Sequence, residues 1–151
     1  MKILFVCLGN ICRSPLAEGV MKEILKKAGL ESRISCDSAG TAGYHIGMLP
    51  DERSRQTAVS HGFSLTHKAR QLSVADYEVF DLILAMDSSI YRYILKICPK
   101  EDLKSKVRMF RDFDPEGLGD VEDPYYGTIG DFENVYTVCH RTCQEIVKKI
   151  S

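Results

Sequence analysis

The sequence predicts an α/β fold: a doubly wound parallel sheet of four strands, flanked by helices on both faces. Three observations lead there. Strand-type and helix-type segments alternate along all 151 residues, with no internal repeat, low-complexity tract or Pro/Gly/Ser linker between them. Two strand candidates, Ile3-Leu4-Phe5-Val6 and Leu82 to Met86, are continuous apolar runs of the kind a parallel sheet buries on both faces. The helical segments between strands supply crossovers, and right-handed crossovers favour double winding. Residues 1–151 are expected to form one domain, a length that supports a core of its own.

Taken in order, Lys2 to Val6 reads as a buried strand. Leu16, Ala17, Val20, Met21, Ile24, Leu25 and Ala28 then form a helical stripe. Ser14 is the expected N-cap, Pro15 suits the first helical position, and Gly29 ends the helix. Lys26 and Lys27 lie in its last turn, where the helix dipole favours cations. Arg33 to Ser38 reads as the second strand, with Ile34 and Cys36 on one face, and a glycine-bearing loop follows from Ala39 to Pro50. A helix is expected from Asp51 to His61, stopped by Gly62, and a short one from Ser73 to Val79. Leu82 to Met86 is the central strand; Ser88 or Ser89 then caps a helix that Pro99 terminates. Val107 to Phe110 is the fourth strand candidate. Asp112 to Gly130, broken by glycine and proline, reads as a long loop, and such loops are usually functional. Phe132, Val135, Cys139, Ile146, Val147 and Ile150 mark a C-terminal helix.

Charge excludes some partners. Lys and Arg number 20 against 21 Asp and Glu, so no basic excess points to nucleic acid or to an anionic membrane. The apolar run Ile3 to Leu8 is too short for a signal-peptide core and is interrupted by Cys7, which makes a cytoplasmic location the expectation. Without a secretory signal, the six cysteines read as thiols rather than a disulfide framework. Cys36 and Cys98 are expected to be buried, and Cys139 and Cys143, four apart, to share a helix face in the core.

The chemistry concentrates in Cys7-Leu8-Gly9-Asn10-Ile11-Cys12-Arg13-Ser14-Pro15, which leaves the carboxyl end of the first strand and enters a helix. Backbone amides collect around an anion at such a junction. Gly9 permits a tight turn and a close approach, the amides from Leu8 to Arg13 form a cradle for phosphate oxygens, and Arg13 offers a planar fork to two of them. The same field favours a thiolate, so Cys7 is the candidate nucleophile, with the Ser14 hydroxyl placed to donate to it. Cys12 is read as a space-filler, a metal ligand with Cys7, or a reversible disulfide partner of Cys7. The absence of a second ligand pair disfavours metal, and the disulfide is the preferred reading. Cleavage of a phosphate ester also needs an acid for the leaving oxygen. Asp123-Pro124-Tyr125-Tyr126 supplies it: Pro124 restricts Asp123 to extended geometry, and Asp120 and Glu122 favour retention of its proton. Asp114-Pro115 is a rival in the same loop. Tyr125, Tyr126 and Tyr44 are placed to wall a slot for an aromatic ring.

With these residues together, the chain resembles the low-molecular-weight protein tyrosine phosphatases over nearly its whole length. Asp37-Ser38-Ala39-Gly40-Thr41, His67-Lys68-Ala69-Arg70-Gln71-Leu72 and Ala85-Met86-Asp87 extend the likeness. The resemblance implies no metal and no cofactor. It implies phosphotyrosine proteins or small aryl phosphates as substrates, with inorganic phosphate as product and inhibitor. It makes Cys7 the nucleophile, Arg13 the phosphate clamp, and Asp123 the acid and then the base. Asn10, Ser14, Ser38 and His67 would hold the loop in shape, while Leu8, Ile11, Tyr44, His45, Tyr125 and Tyr126 would line the mouth. Three rivals share parts of this pattern. An arsenate reductase needs two further relay cysteines, and the central segment offers only Cys98. A protein arginine phosphatase is associated with a smaller polar residue where Ile11 stands. A cysteine phosphocarrier domain generally lacks counterparts of Arg13 and Asp123.

Overall fold

The computed structural model describes residues 1–151. Four parallel strands, β1 (Lys2–Cys7), β2 (Ser35–Gly40), β3 (Leu82–Ala85) and β4 (Val107–Met109), lie in the order β2-β1-β3-β4. The pleat sends alternate side chains of β1 to opposite faces. Ile3, Phe5 and Cys7 enter a core built with α1 (Arg13–Ala28) and α5 (Ile129–Ile150), whereas Leu4 and Val6 enter a second core. That second core includes Tyr77 from α3 (Asp76–Val79) and Ile90 and Ile94 from α4 (Ser88–Ile97). The chain winds from β1 to β2 and then crosses to β3 on the other side. The winding reverses between β1 and β3, and ligands of such sheets bind beyond the carboxyl ends of those strands. No helix is long and apolar enough to cross a membrane.

The predicted elements are present, with informative shifts. β1 extends one residue further, so Cys7 is the last strand residue and its direction is set by the pleat. The α1 N-cap is Cys12, without a side-chain bond, because the Ser14 hydroxyl is engaged elsewhere. Pro15 is the third residue of α1, where an absent N–H costs nothing because first-turn amides lack intrahelical partners. Gly29 closes α1 in the left-handed region at φ 68°. In α2 (Glu52–Ser60), Asp51 is the cap, accepting from Arg53 N at 2.9 Å. The stretch from Ser73 forms only the short α3, because Asp76 turns back to accept from the Ser73 amide at 2.8 Å. Asp87, not Ser88 or Ser89, caps α4, accepting from Ile90 N at 2.9 Å. Cys139 and Cys143 are fully buried as expected, but Cys36 and Cys98 are only partly buried.

The long loop is anchored at its start. A short 3-10 helix, Phe110–Phe113, sets Phe110 edge-on to Phe5 at 5.7 Å between ring centres. Asp114 follows, and its buried carboxylate accepts from Arg141 Nε and Arg111 Nε, both at 2.8 Å, and from Glu116 N at 2.9 Å. Burial pushes this carboxyl up, but hydrogen bonds from Arg141, the Glu116 amide and Arg111 outweigh it and hold it at about 2. Its stabilising contribution is therefore complete above the ordinary aspartate value of about 3.9 and is lost as pH falls through the folded value. Asp114→Asn is expected to lower stability at neutral pH and to make the acid limb shallower between about pH 4 and 2. Urea denaturation over a pH series checks this, and a variant retaining the wild-type acid limb would contradict it.

Candidate active site

Carbonyls along the turn from Cys7 to Cys12 are taken up by neighbouring groups. Thr41 N donates to Cys7 O and Ala42 N to Leu8 O, both at 2.9 Å; Asp51 N reaches Ile11 O at 2.8 Å, and the Ser54 hydroxyl reaches Cys12 O at 3.1 Å. The amides of Leu8 to Cys12 donate to no protein group. Such a ring of convergent N–H groups at a helix N-terminus is an anion cradle. Neighbouring backbone fits against it tightly. A Cβ at Gly40 would stand 2.7 Å from Leu8 O, so only glycine suits that position. The left-handed residue of the loop is Asn10, at φ 57°, rather than Gly9. Gly9 instead supplies room, since a Cβ there would meet His45 Cδ2 at 3.0 Å.

Asn10 is fully buried and both polar atoms of its side chain are used. Its Nδ2 donates to Ser14 Oγ at 2.8 Å and to Ser38 Oγ at 2.9 Å. Its Oδ1 accepts from Arg70 N at 3.0 Å and from His67 Nε2 at 2.8 Å. The four loop-supporting residues expected from the resemblance are thus in direct contact. Their hydrogen bonds have a direction. Ser38 donates to Glu18 Oε1 at 2.6 Å, so its oxygen accepts from Asn10. Ser14 likewise accepts from Asn10, which leaves its hydrogen for Cys7 Sγ at 2.9 Å or Ala39 O at 3.5 Å, the sulfur being the closer partner.

Arg13 is the cation of the cradle and its side chain is only 4% exposed. Nη1 donates to Asp87 Oδ2 at 2.7 Å and to Val121 O at 2.9 Å. Burial opposes its charge, but Cys7, Asp87 and Asp123 more than offset this. Burial also acts against the Asp87 carboxylate, yet the Ile90 amide and Arg13 hold its pKa below the usual range. Asp123 stands opposite, with Oδ2 3.8 Å from Arg13 Nη2 and Oδ1 accepting from Tyr125 N at 3.1 Å. Pro124 behind it is buried. Asp120, expected to add charge beside it, instead accepts from Ser88 N at 2.9 Å. The rival Asp114 is taken up by Arg111 and Arg141 and does not reach the cavity.

One cavity of about 320 Å³ brings these groups together. Cys7, Gly9, Cys12 and Arg13 form its base, Asp123 one side, and Leu8, Ile11, Tyr44, His45, Tyr125 and Tyr126 its mouth. Tyr44 and Tyr126 are 76% and 95% exposed, so they form a rim rather than closed walls. Cys12 packs with Ile11, Ala69 and Phe132. Burial, together with Asp51 and Cys7 nearby, pushes its thiol up and keeps it protonated.

Sequence reasoning assigned no role to Glu18, Asp37 or Asp87. Glu18 had a signal: it lies four residues after Ser14, on a helical face among apolar neighbours, and is buried. Asp87 follows the apolar run of β3 at the sheet edge that also presents Cys7. Asp37 had none beyond its place in β2; it lies 3.3 Å from His67 Nδ1. Burial raises its carboxyl, but His67, the Ser38 amide and Arg70 hold it at about 2. Glu18, Asp37 and His67 have the spacing of a metal cluster, but Glu18 accepts from Ser38 and Lys22, Asp37 Oδ2 accepts from Arg70, and His67 Nδ1 lies 3.4 Å and 3.3 Å from the two carboxylates themselves.

Comparison with known proteins gives a family and a fold. The family model described as low molecular weight phosphotyrosine protein phosphatase matches residues 2–151. A putative low molecular weight protein-tyrosine-phosphatase of Synechocystis is 45% identical, over 99% of this chain and 96% of its own. The human low molecular weight phosphotyrosine protein phosphatase is 41% identical over 97% of this chain and 94% of its own. A crystal structure of a protein tyrosine phosphatase from Entamoeba histolytica superposes with a TM-score of 0.96 at 40% identity, covering 99% of this chain and 96% of that one.

Asn10→Ala is expected to destabilise the protein by about 2–4 kcal/mol, combining unpaired buried partners with a strained left-handed alanine. Asn10→Gly should recover the strain but not the hydrogen bonds. Both should weaken inorganic phosphate binding, read by calorimetry beside urea denaturation. Unchanged phosphate affinity in both variants would show that the cradle holds its shape without Asn10.

Proposed function

Because the chain belongs to the low molecular weight phosphotyrosine protein phosphatase family, we propose that it hydrolyses phosphotyrosine esters through a phosphocysteine intermediate, without metal, as one domain over residues 1–151. One observation carries this reading: the Cys7 thiol, the inward amides, the Arg13 guanidinium and the Asp123 carboxyl converge in a single cavity. In the first step Cys7 Sγ attacks phosphorus in line. An S–P bond forms, the ester P–O bond breaks, and Asp123 gives its proton to the departing tyrosyl oxygen. In the second step Asp123 takes a proton from water, whose oxygen attacks phosphorus. The S–P bond breaks, and the leaving thiolate regains its hydrogen bond from Ser14. The amides of Leu8 to Arg13 and the guanidinium hold the equatorial oxygens in both steps.

The aromatic rim of Tyr44, Tyr125 and Tyr126 supports an aryl ester over an alkyl one, in phosphotyrosine proteins or small aryl phosphates. Inorganic phosphate, the product, competes for the same cradle. Of the six cysteines only Cys7 and Cys12 line the cavity, which speaks against a reductase relay. A pairing of those two under oxidation would guard the nucleophile. Six free thiols support a reducing, cytoplasmic compartment.

Turnover of phosphotyrosine, phosphoserine and phosphoarginine peptides without added metal is the direct test, with phosphotyrosine expected to dominate. Cys7→Ser should abolish turnover while phosphate still binds. Asp123→Ala should reduce kcat by roughly 10²–10⁴-fold on esters of weakly acidic phenols. Turnover retained in Cys7→Ser would overturn the mechanism.

A further inference from the structure

Asp123 must stand where the leaving oxygen departs, yet the segment that carries it is held from outside by few groups. Val121 is tied to Met86 O, just beyond β3, and to Arg13. Beyond it, the hydrogen bonds of Asp123, Tyr125 and Gly127 stay mostly inside the loop: Tyr125 N to Asp123, Gly127 N to Pro124 O. The exception is Arg53. Its Nη2 donates to Tyr125 O at 2.9 Å and its Nη1 to Gly127 O at 3.1 Å. The guanidinium carbon lies 4.5 Å from the centre of the Phe132 ring and 5.8 Å from that of Tyr125.

The other side of Arg53 faces the nucleophile loop. Nε and Nη2 donate to the two oxygens of Asp51, each at 3.0 Å. Asp51 gives its own amide to Ile11 O, and Ser54, one residue after Arg53, gives its hydroxyl to Cys12 O. The first turn of α2 therefore touches both loops, fixed to one by Asp51 and Ser54 and to the other by a planar fork. A guanidinium is well suited to bridging them. Its donors are rigid relative to one another, so holding Asp51 fixes the direction in which it meets the two carbonyls.

We infer that Arg53 is a positioning residue for the acid step: it fastens the 123–127 loop to α2 and so sets the distance between Asp123 and the phosphate cradle. The inference rests on the phosphatase reading and adds a requirement to it, that the acid and the nucleophile are held in register through a residue that touches neither.

Arg53→Ala, Arg53→Lys and Asp123→Ala, with the Arg53→Ala/Asp123→Ala pair, are assayed on aryl phosphates of graded phenol acidity. Arg53→Ala is expected to lose roughly 10- to 100-fold in kcat/KM, which reports the acid step and not the later hydrolysis common to all esters, on esters of weakly acidic phenols, the size of effect a misplacement of about 1 Å brings. It should lose far less on a dinitrophenyl ester, whose phenolate leaves without a proton. Inhibition by inorganic phosphate should stay close to wild type, and Arg53→Lys should recover part of the loss. In the Asp123→Ala background the Arg53 substitution should add little, because the acid it places is gone. Equal loss on all leaving groups, or full additivity with Asp123→Ala, would overturn the role and leave the phosphatase reading standing. A wild-type protein inert towards every aryl ester would overturn that reading and this one with it.

Discussion

A buried guanidinium at the carboxyl end of the sheet is the interaction on which the rest of the site depends. Arg13 sits at the first position of α1 with almost no solvent, and a charge so placed is tolerated only when paired and hydrogen-bonded. Asp87 supplies the pairing, and the same carboxylate caps α4. Val121 O takes another donor, which draws the long loop over the crevice. One cation thus joins the first crossover, the end of β3 and the loop bearing Asp123. Its field is also what a phosphate dianion meets, so the group that assembles the cleft is the group that fills it with positive potential.

The cradle beside it is a problem of peptide orientation. An α-helical or extended course would alternate or align the amides away from a common centre. A left-handed residue at Asn10 turns them inward, at a backbone cost of about 1–3 kcal/mol. The cost is offset by a carboxamide with all four of its hydrogen bonds made. The outward carbonyls are then matched by Thr41, Ala42, Asp51 and Ser54, which come from β2's end and α2. Preorganisation here means that neither the amides nor the sulfur's hydroxyl partner has to reorient when charge builds up.

Much of this could be read from the chain. The strands, the crossovers and the loop after β1 follow from apolar periodicity and punctuation, and Cys7, Arg13 and Asp123 follow from what a phosphate ester requires. Where the reading slipped, a side chain had two candidate uses and the tertiary one prevailed. Ser14 had the composition of a cap but is held against Cys7 and Asn10. Ser88 and Ser89 yielded the cap of α4 to Asp87, whose carboxylate accepts more strongly. Asp37 and Arg53 were silent because their partners lie far along the chain: Asp37 meets Arg70 and Arg53 meets Tyr125, at separations of 33 and 72 residues. No local pattern records such a pair.

The same separations bear on when the site comes into being during folding. Asn10 is fixed by partners 4, 28, 57 and 60 residues away. Pairing β1 with β2 brings only the nearer two. The farther two arrive when the segment carrying His67 and Arg70 closes over the sheet, a step that carries the loop-closure entropy of long-range contacts. A chain caught between those events has its sheet started and its thiol in place, yet still lacks the ring of amides. Phosphate binding therefore asks for the whole network, and a molecule that lacks the farther two bonds presents a cysteine without a phosphate site.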